Sequence, residues 1–154
     1  MFKKEIIMEI QEVLKNLREK YQLTQEELAA RVLVTRQAVS RWETGETQPN
    51  TDTLKLLSKE FNVSINTLLG SPRQLICQCC GMPLTEDDVI SHETDGSFNE
   101  DYCKWCYSEG AFVYTTKDSL LDYLVANMPN LDNLSDDERR LQFDAYLSQL
   151  KHWK

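Results

Sequence analysis

The sequence predicts a mainly α protein in two parts: five short helices over about the first 70 residues, then a small cysteine-rich region closed by two more helices. Three observations carry this. Apolar residues recur at spacings of three and four, the period of an α-helix with one buried face. Ser and Thr stand repeatedly where such a stripe begins, as helix N-caps do. All five cysteines fall between positions 77 and 106, in a stretch that the helical patterns leave free.

Taken in order, Ile6, Ile10, Val13, Leu14 and Leu17 mark an amphipathic first helix of about four turns. Thr24 opens T-Q-E-E, a capping box that starts a second helix. Val32 to Val34 form a turn, and Thr35 caps a third helix that begins RQAVSRWE. TGETQPN at 44–50 is a loop. Leu54, Leu57 and Phe61 line a fourth helix, and Ser64 caps a short fifth one ending at Gly70. Ser-Pro-Arg at 71–73 reads as a linker. From Lys117 the helical pattern returns with Leu120, Leu121, Leu124 and Val125, stopped by Met128-Pro129. Ser135 caps a last helix carrying Leu141, Phe143, Tyr146, Leu147 and Leu150 toward Trp153.

A chain of 154 residues holds one or two small domains, and a composition 41% hydrophobic and 27% charged is that of an ordinary globular protein. No apolar run approaches the roughly 18 residues that a membrane span needs. MFKKEIIMEIQE lacks the apolar core and cleavage site of a secretory signal, so the expectation is a cytoplasmic protein. Thiols stay reduced there, and paired CxxC motifs then indicate metal before disulfide. The net charge of -8 is unevenly placed. Residues 1–70 carry 10 basic and 10 acidic residues, and the remainder carries 7 and 15. A DNA contact therefore belongs to the first part.

The stretch LTQEELAARVLVTRQAVSRW, residues 23–42, places two capped helices about a four-residue turn apart. Leu28, Val34, Val39 and Trp42 fall where the two helices would pack. Arg36, Gln37, Ser40 and Arg41 fall on the outer face of the second, which suits a major groove because Arg and Gln can bind guanine and adenine edges in bidentate fashion. Taken alone, Arg36, Gln37 and Arg41 would equally suit a solvated helix face.

The whole run from L-T-Q-E-E-L-A through T-R-Q-A-V-S-R-W-E-x-G to P-N-x-x-x-L-x-x-L resembles the five-helix DNA-binding domain of the Xre/Cro (lambda-repressor-like) regulators, over about residues 6–70. The resemblance implies a phosphate contact from Gln25, a DNA-facing set of Thr35, Arg36, Gln37, Ser40 and Arg41, and an Arg18–Glu43 pair joining the first and third helices. That family often has Gly in the turn where this chain has Leu33. A positive φ there would strain leucine by roughly 1 kcal/mol or more, so a slightly altered turn is the expectation.

Cys77-x-x-Cys80 and Cys103-x-x-Cys106 are separated by 22 residues, slightly more than in the shortest ribbons. Two such knuckles can close a tetrahedron of thiolates on one zinc ion. Cys79, between two ligands, would point away from the ion, and Gly81 suits the turn behind the first pair. His92 is a competing ligand without a ligand-spaced partner. A redox dithiol would want a βαβ setting, which is absent. ICQCCGMPL, DGSFNEDYCKWCY, Phe112 and FDAYLSQLKHWK together resemble the zinc-ribbon domain of bacterial proteins over about residues 75–154. In that family the position of Cys79 is commonly Ser, which leaves Cys79 as the extra sulfur and, if exposed, the first to oxidise.

The expected organisation is thus a helix-turn-helix domain over 1–70, a linker at 71–74, and a zinc ribbon with helices over 75–154. One structural zinc per chain would sit on Cys77, Cys80, Cys103 and Cys106, with no coordination position open for hydrolysis, so no enzyme activity is expected. The expected function is a DNA-binding transcriptional regulator, a repressor acting as a homodimer on operator DNA. The stripes Leu120/Leu124 and Phe143/Leu147/Leu150 are candidates for dimer contact or for burial against the ribbon. The rival readings are a protein-interaction adaptor using the acidic ribbon and a redox- or metal-responsive regulator.

Overall fold

A computed structural model describes residues 9–70 and 74–154. Ile6 and most of the 71–74 linker lie outside the described residues. The chain divides into two compact units, the first of Met1–Arg73 with Gly96–Phe98 and the second of Gln74–Asp95 with Asn99–Lys154.

The first unit is a bundle of five helices: α1 (Ile10–Lys20), α2 (Gln25–Arg31), α3 (Arg36–Thr44), α4 (Thr51–Phe61) and α5 (Ile65–Leu68). The caps read from the sequence form as hydrogen bonds. Thr24 accepts from the Glu27 N–H and Glu27 returns the bond, completing the capping box. Thr35 and Ser64 accept from the N–H groups of Ala38 and Thr67, and Asn50, which the sequence pattern leaves in a loop, caps α4 in the same way by accepting from the Thr53 N–H. Each such cap contributes about 1 kcal/mol. The apolar stripes converge on one core of Leu14, Leu28, Val32, Val39, Leu57, Phe61 and Leu68, with Trp42 as a plug and Val34 packed at its margin. Leu28 is wholly buried, so its truncation to alanine would cost about 2–5 kcal/mol.

The turn between α2 and α3 departs from expectation. Leu33 does adopt a left-handed conformation, with φ 58°. The Val34 N–H donates to the Ala29 carbonyl at 2.9 Å and the Leu33 N–H to Ala30 at 3.4 Å. This pattern closes α2 in a Schellman motif, whose C′ residue favours glycine. Leucine is tolerated because its side chain, 84% exposed, meets no core.

The second unit begins with a tight hairpin over 75–84, in which the Leu84 N–H bonds to Leu75 and the Cys77 N–H to Met82. β1 (Ile90–His92) pairs with β2 (Phe98–Cys103), and β3 (Tyr107–Ser108) runs antiparallel to β4 (Ala111–Phe112), Tyr107 opposite Phe112. Two helices follow, α6 (Lys117–Asn127) and α7 (Asp136–Leu147). Thr116 caps α6, and Ser135 with Glu138 forms a second capping box on α7. Arg139 of α7 is nearly buried and donates to the Val125 and Met128 carbonyls at 2.7 and 2.5 Å. It thus satisfies the orphan carbonyls at the end of α6.

One expectation is corrected here. The last helix does not run to Trp153: α7 stops at Leu147, and a separate 3-10 turn spans Lys151–Trp153. The chain bends so that Leu150 is buried and the turn can bond to the first cysteine hairpin. Of the two uses open to the apolar stripes, dimer contact or burial within the chain, the buried leucines follow the second. Leu120, Leu124, Leu147 and Leu150 are all buried, whereas Leu141 is 71% exposed.

Candidate nucleic-acid interface and metal centre

α3 has two faces. Val39 and Trp42 fix one in the core, 1% and 6% exposed. On the other, Arg36, Gln37, Ser40 and Arg41, joined by Glu46, line an open depression of about 270 Å³. Helical spacing alone brings Arg36, Gln37, Ser40 and Arg41 to one side. Thr35 stands at the N-terminal edge, its hydroxyl oxygen accepting from the Ala38 N–H at 3.2 Å.

Gln25 is held elsewhere. Its amide nitrogen donates to Glu43 Oε2 at 2.9 Å. The same carboxylate takes Arg18 Nε at 2.5 Å and Nη2 at 3.1 Å, while Arg18 Nη1 reaches the Leu23 carbonyl at 2.8 Å. Three helices are thereby tied at one half-buried carboxylate, and the Arg18–Glu43 pair joins α1 to α3. Burial pushes the Glu43 carboxyl up, but the hydrogen bonds from Arg18 and Gln25 outweigh it and hold it below the usual carboxylate range. The bonded carboxylate in turn raises Arg18. This network sets the angle at which α3 is presented.

In the second unit the structure brings Cys77, Cys80, Cys103 and Cys106 together, with their sulfurs all within 4.8 Å of one another. Each pair rides on a turn. The Gly81 N–H donates to the Cys77 carbonyl at 2.8 Å, and the Cys106 N–H to the Cys103 carbonyl at 3.1 Å. The Cys103 N–H points at Cys77 Sγ, 3.3 Å away. A tetrahedron with bonds of about 2.3 Å has S···S edges of about 3.8 Å. The Cys80–Cys103 separation of 3.9 Å fits it. Crowded thiols resist joint ionisation: hydrogen bonds from Cys103, Cys106 and Cys80 hold Cys77 far below the usual thiol range, while Cys103 and Cys77 push Cys106 far above it. A divalent cation removes that conflict by neutralising charge at the centre. The donor set therefore fits a metal that prefers four sulfurs.

Cys79 stands outside this cluster and is fully buried, not exposed. Of the five thiols only Cys80 keeps partial solvent access, so the exposure on which first oxidation of Cys79 depended is not met. His92, the competing ligand, lies on β1 and is not part of the cluster.

Sequence reasoning missed what backs the first knuckle. The Trp153 indole N–H donates to the Cys79 carbonyl at 2.7 Å, the His152 N–H to the Gln78 carbonyl at 3.1 Å, and the Lys151 N–H to Gln78 Oε1 at 3.1 Å. Both Gln78 and Cys79 lie between the ligand positions. Gly81 lies at φ 79°, and a Cβ there would sit 2.2 Å from the Tyr146 ring. The signal for the glycine was its place after CxxC; its partner 65 residues on left no local trace.

Comparison with known proteins places both halves. A family model described as "Putative zinc ribbon domain" matches residues 76–154, and one described as "Helix-turn-helix" matches residues 14–68. The HTH-type transcriptional activator BcrR of Enterococcus faecalis is 48% identical over 63 residues, 41% of this chain and 31% of its own length. The chain thus spans about a third of that relative. Among solved structures, the P22 c2 repressor in complex with a synthetic operator is 35% identical, covering 40% of this chain and 94% of that one at a TM-score of 0.39. A transcriptional regulator from Listeria innocua is 15% identical over 92% of each chain, at a TM-score of 0.42. With more than half of its length matched by the ribbon model, the chain belongs to the zinc-ribbon family and carries a helix-turn-helix domain of the Xre (lambda-repressor-like) type ahead of the ribbon.

Proposed function

We propose that the protein is a cytoplasmic, sequence-specific DNA-binding regulator of transcription that represses by occupying its operator. Residues 1–70 form the DNA-binding domain, 71–74 a linker and 75–154 the ribbon domain. The observation that carries this reading is the division of α3 into a core face and a polar outer face around an open depression. Arg36, Gln37, Ser40 and Arg41 read base edges in the major groove. Thr35 at the N-terminal edge of that face and Gln25 at the start of α2 meet phosphates, and Gln25 uses the donor capacity left beside its bond to Glu43. The chain acts as a homodimer on paired half-sites about one helical turn apart.

Cys77, Cys80, Cys103 and Cys106 hold one zinc ion per chain. Zinc supplies stability by tying two knuckles that have little apolar core of their own. Its four ligands leave no open position, which fits a structural rather than catalytic role. The Lys151–Trp153 turn orients the first knuckle from behind.

Selection from a pool of randomised duplexes tests the reading: recovery of a palindrome supports a dimeric regulator, and no enrichment supports an interaction adaptor working through the acidic ribbon. Arg41→Ala should weaken binding of the recovered site by roughly 1–3 kcal/mol and relax one base position. A second reading, activation, draws on the name of the enterococcal relative. A reporter under the recovered site separates the two, since deleting the regulator raises expression under repression and lowers it under activation.

A further inference from the structure

The depression on the outer face of α3 contains one residue out of keeping with the rest. Arg36, Gln37, Ser40 and Arg41 all suit phosphate oxygens or base edges, but Glu46 completes the lining. A carboxylate in that place repels every phosphate that approaches.

Its position is built. Gly45 ends α3 in the left-handed region, at φ 81°. The Gly45 N–H donates to the Trp42 carbonyl at 3.2 Å, and the Glu46 and Thr47 N–H groups both donate to the Arg41 carbonyl, at 3.0 and 3.4 Å. Three successive amides turn the backbone so that Glu46 returns to the face it has just left. Its carboxylate oxygen then lies 4.0 Å from Arg41 Nε, with side chains 61% and 67% exposed for Arg41 and Glu46. A pair so exposed contributes little to stability, so folding does not explain an acid at this point.

We infer that Glu46 is a specificity-determining residue of the DNA interface, an inference that rests on the reading of α3 as the element that meets DNA. The carboxylate weakens binding to all DNA, because affinity without sequence is almost wholly attraction to phosphate. The loss is recovered only where the base edges beside Arg41 include a cytosine, whose N4 amino group can donate to a carboxylate while Arg41 takes the O6 and N7 of a guanine. Arg41 and Glu46 together then read a G·C-containing step, and Glu46 rejects sites that would satisfy Arg41 alone.

The test uses the full chain, the duplex recovered by selection and a random-sequence duplex of equal length, at one fixed salt concentration. Glu46→Gln should leave thermal unfolding unchanged and raise affinity for the random duplex about three- to tenfold. Affinity for the selected duplex should rise less or fall, and a repeated selection with the variant should lose a cytosine preference at one position per half-site. Equal gains on both duplexes, or no change on either, overturn the inference. A wild-type chain that fails to prefer the selected duplex instead removes the DNA-regulator reading itself, whatever the variant does.

Discussion

Leu33→Gly should stabilise the first unit, although it deletes a large side chain. Leu33 sits at φ 58° with 84% of its surface exposed. Deleting it therefore forfeits almost no burial, and the two Schellman hydrogen bonds, at 2.9 and 3.4 Å, are backbone bonds that glycine keeps. An L-residue in the left-handed region costs roughly 1–2 kcal/mol, and glycine avoids it. Against this, glycine loses about 0.4–1 kcal/mol through the freedom of its unfolded chain. The net gain is about 0.5–1 kcal/mol. Amide exchange of Leu28, Val32 and Val39 in the full chain reads this unit without interference from the ribbon. Their protection should rise about two- to fivefold, given 1.4 kcal/mol per factor of ten. Leu33→Ala is the control, since alanine keeps the positive φ and should change protection little. A well-folded glycine variant with equal or lower protection would refute the strain argument, and so would an alanine variant that gains as much as glycine.

Three further outcomes follow from the sites described. Gly81→Ala places a methyl 2.2 Å from the Tyr146 ring at a φ of 79°; it should cost the second unit about 2 kcal/mol or more, and adding Tyr146→Ala should recover only the clash, as urea unfolding would register. Metal analysis of purified protein should find about one zinc per chain in wild type and in Cys79→Ser, but a clear loss in Cys77→Ser, because Cys77, unlike Cys79, belongs to the four-sulfur cluster; loss in Cys79→Ser would move that residue into the site. Glu43 has its carboxyl held below the ordinary 4.5 in the folded state, so its contribution is complete above that pH and fades as pH falls through the depressed value. Glu43→Gln should flatten the acid side of the first unit's stability curve, and an unchanged slope in chemical denaturation from pH 6 to 3 would count against the network.

Local chemistry made much of the molecule legible in the sequence. Thr24, Thr35 and Ser135 each announced a helix start because capping involves a side chain and an amide only three residues on. Arg36, Gln37, Ser40 and Arg41 share a face because the helical period places them there. The two CxxC pairs indicated four converging sulfurs because the knuckle is itself a local turn, and two knuckles suffice for one tetrahedral ion.

What only the tertiary structure decided lies in contacts between distant positions. Leu33 could take its strained φ because α2 and α3 pack around Leu28 and Val39 and hold the turn closed. Cys79 is buried and Cys80 partly open, a difference that position in the motif leaves undecided, and Trp153 and His152 bond to the hairpin from 74 residues away. The last helix stops at Leu147 for the same reason, since hydrogen bonds to Gln78 and Cys79 outweigh continuation of a helical pattern. The leucine stripes of α6 and α7 point inward rather than at a partner. An amphipathic pattern states that a face will be covered, and only the packed chain states by what.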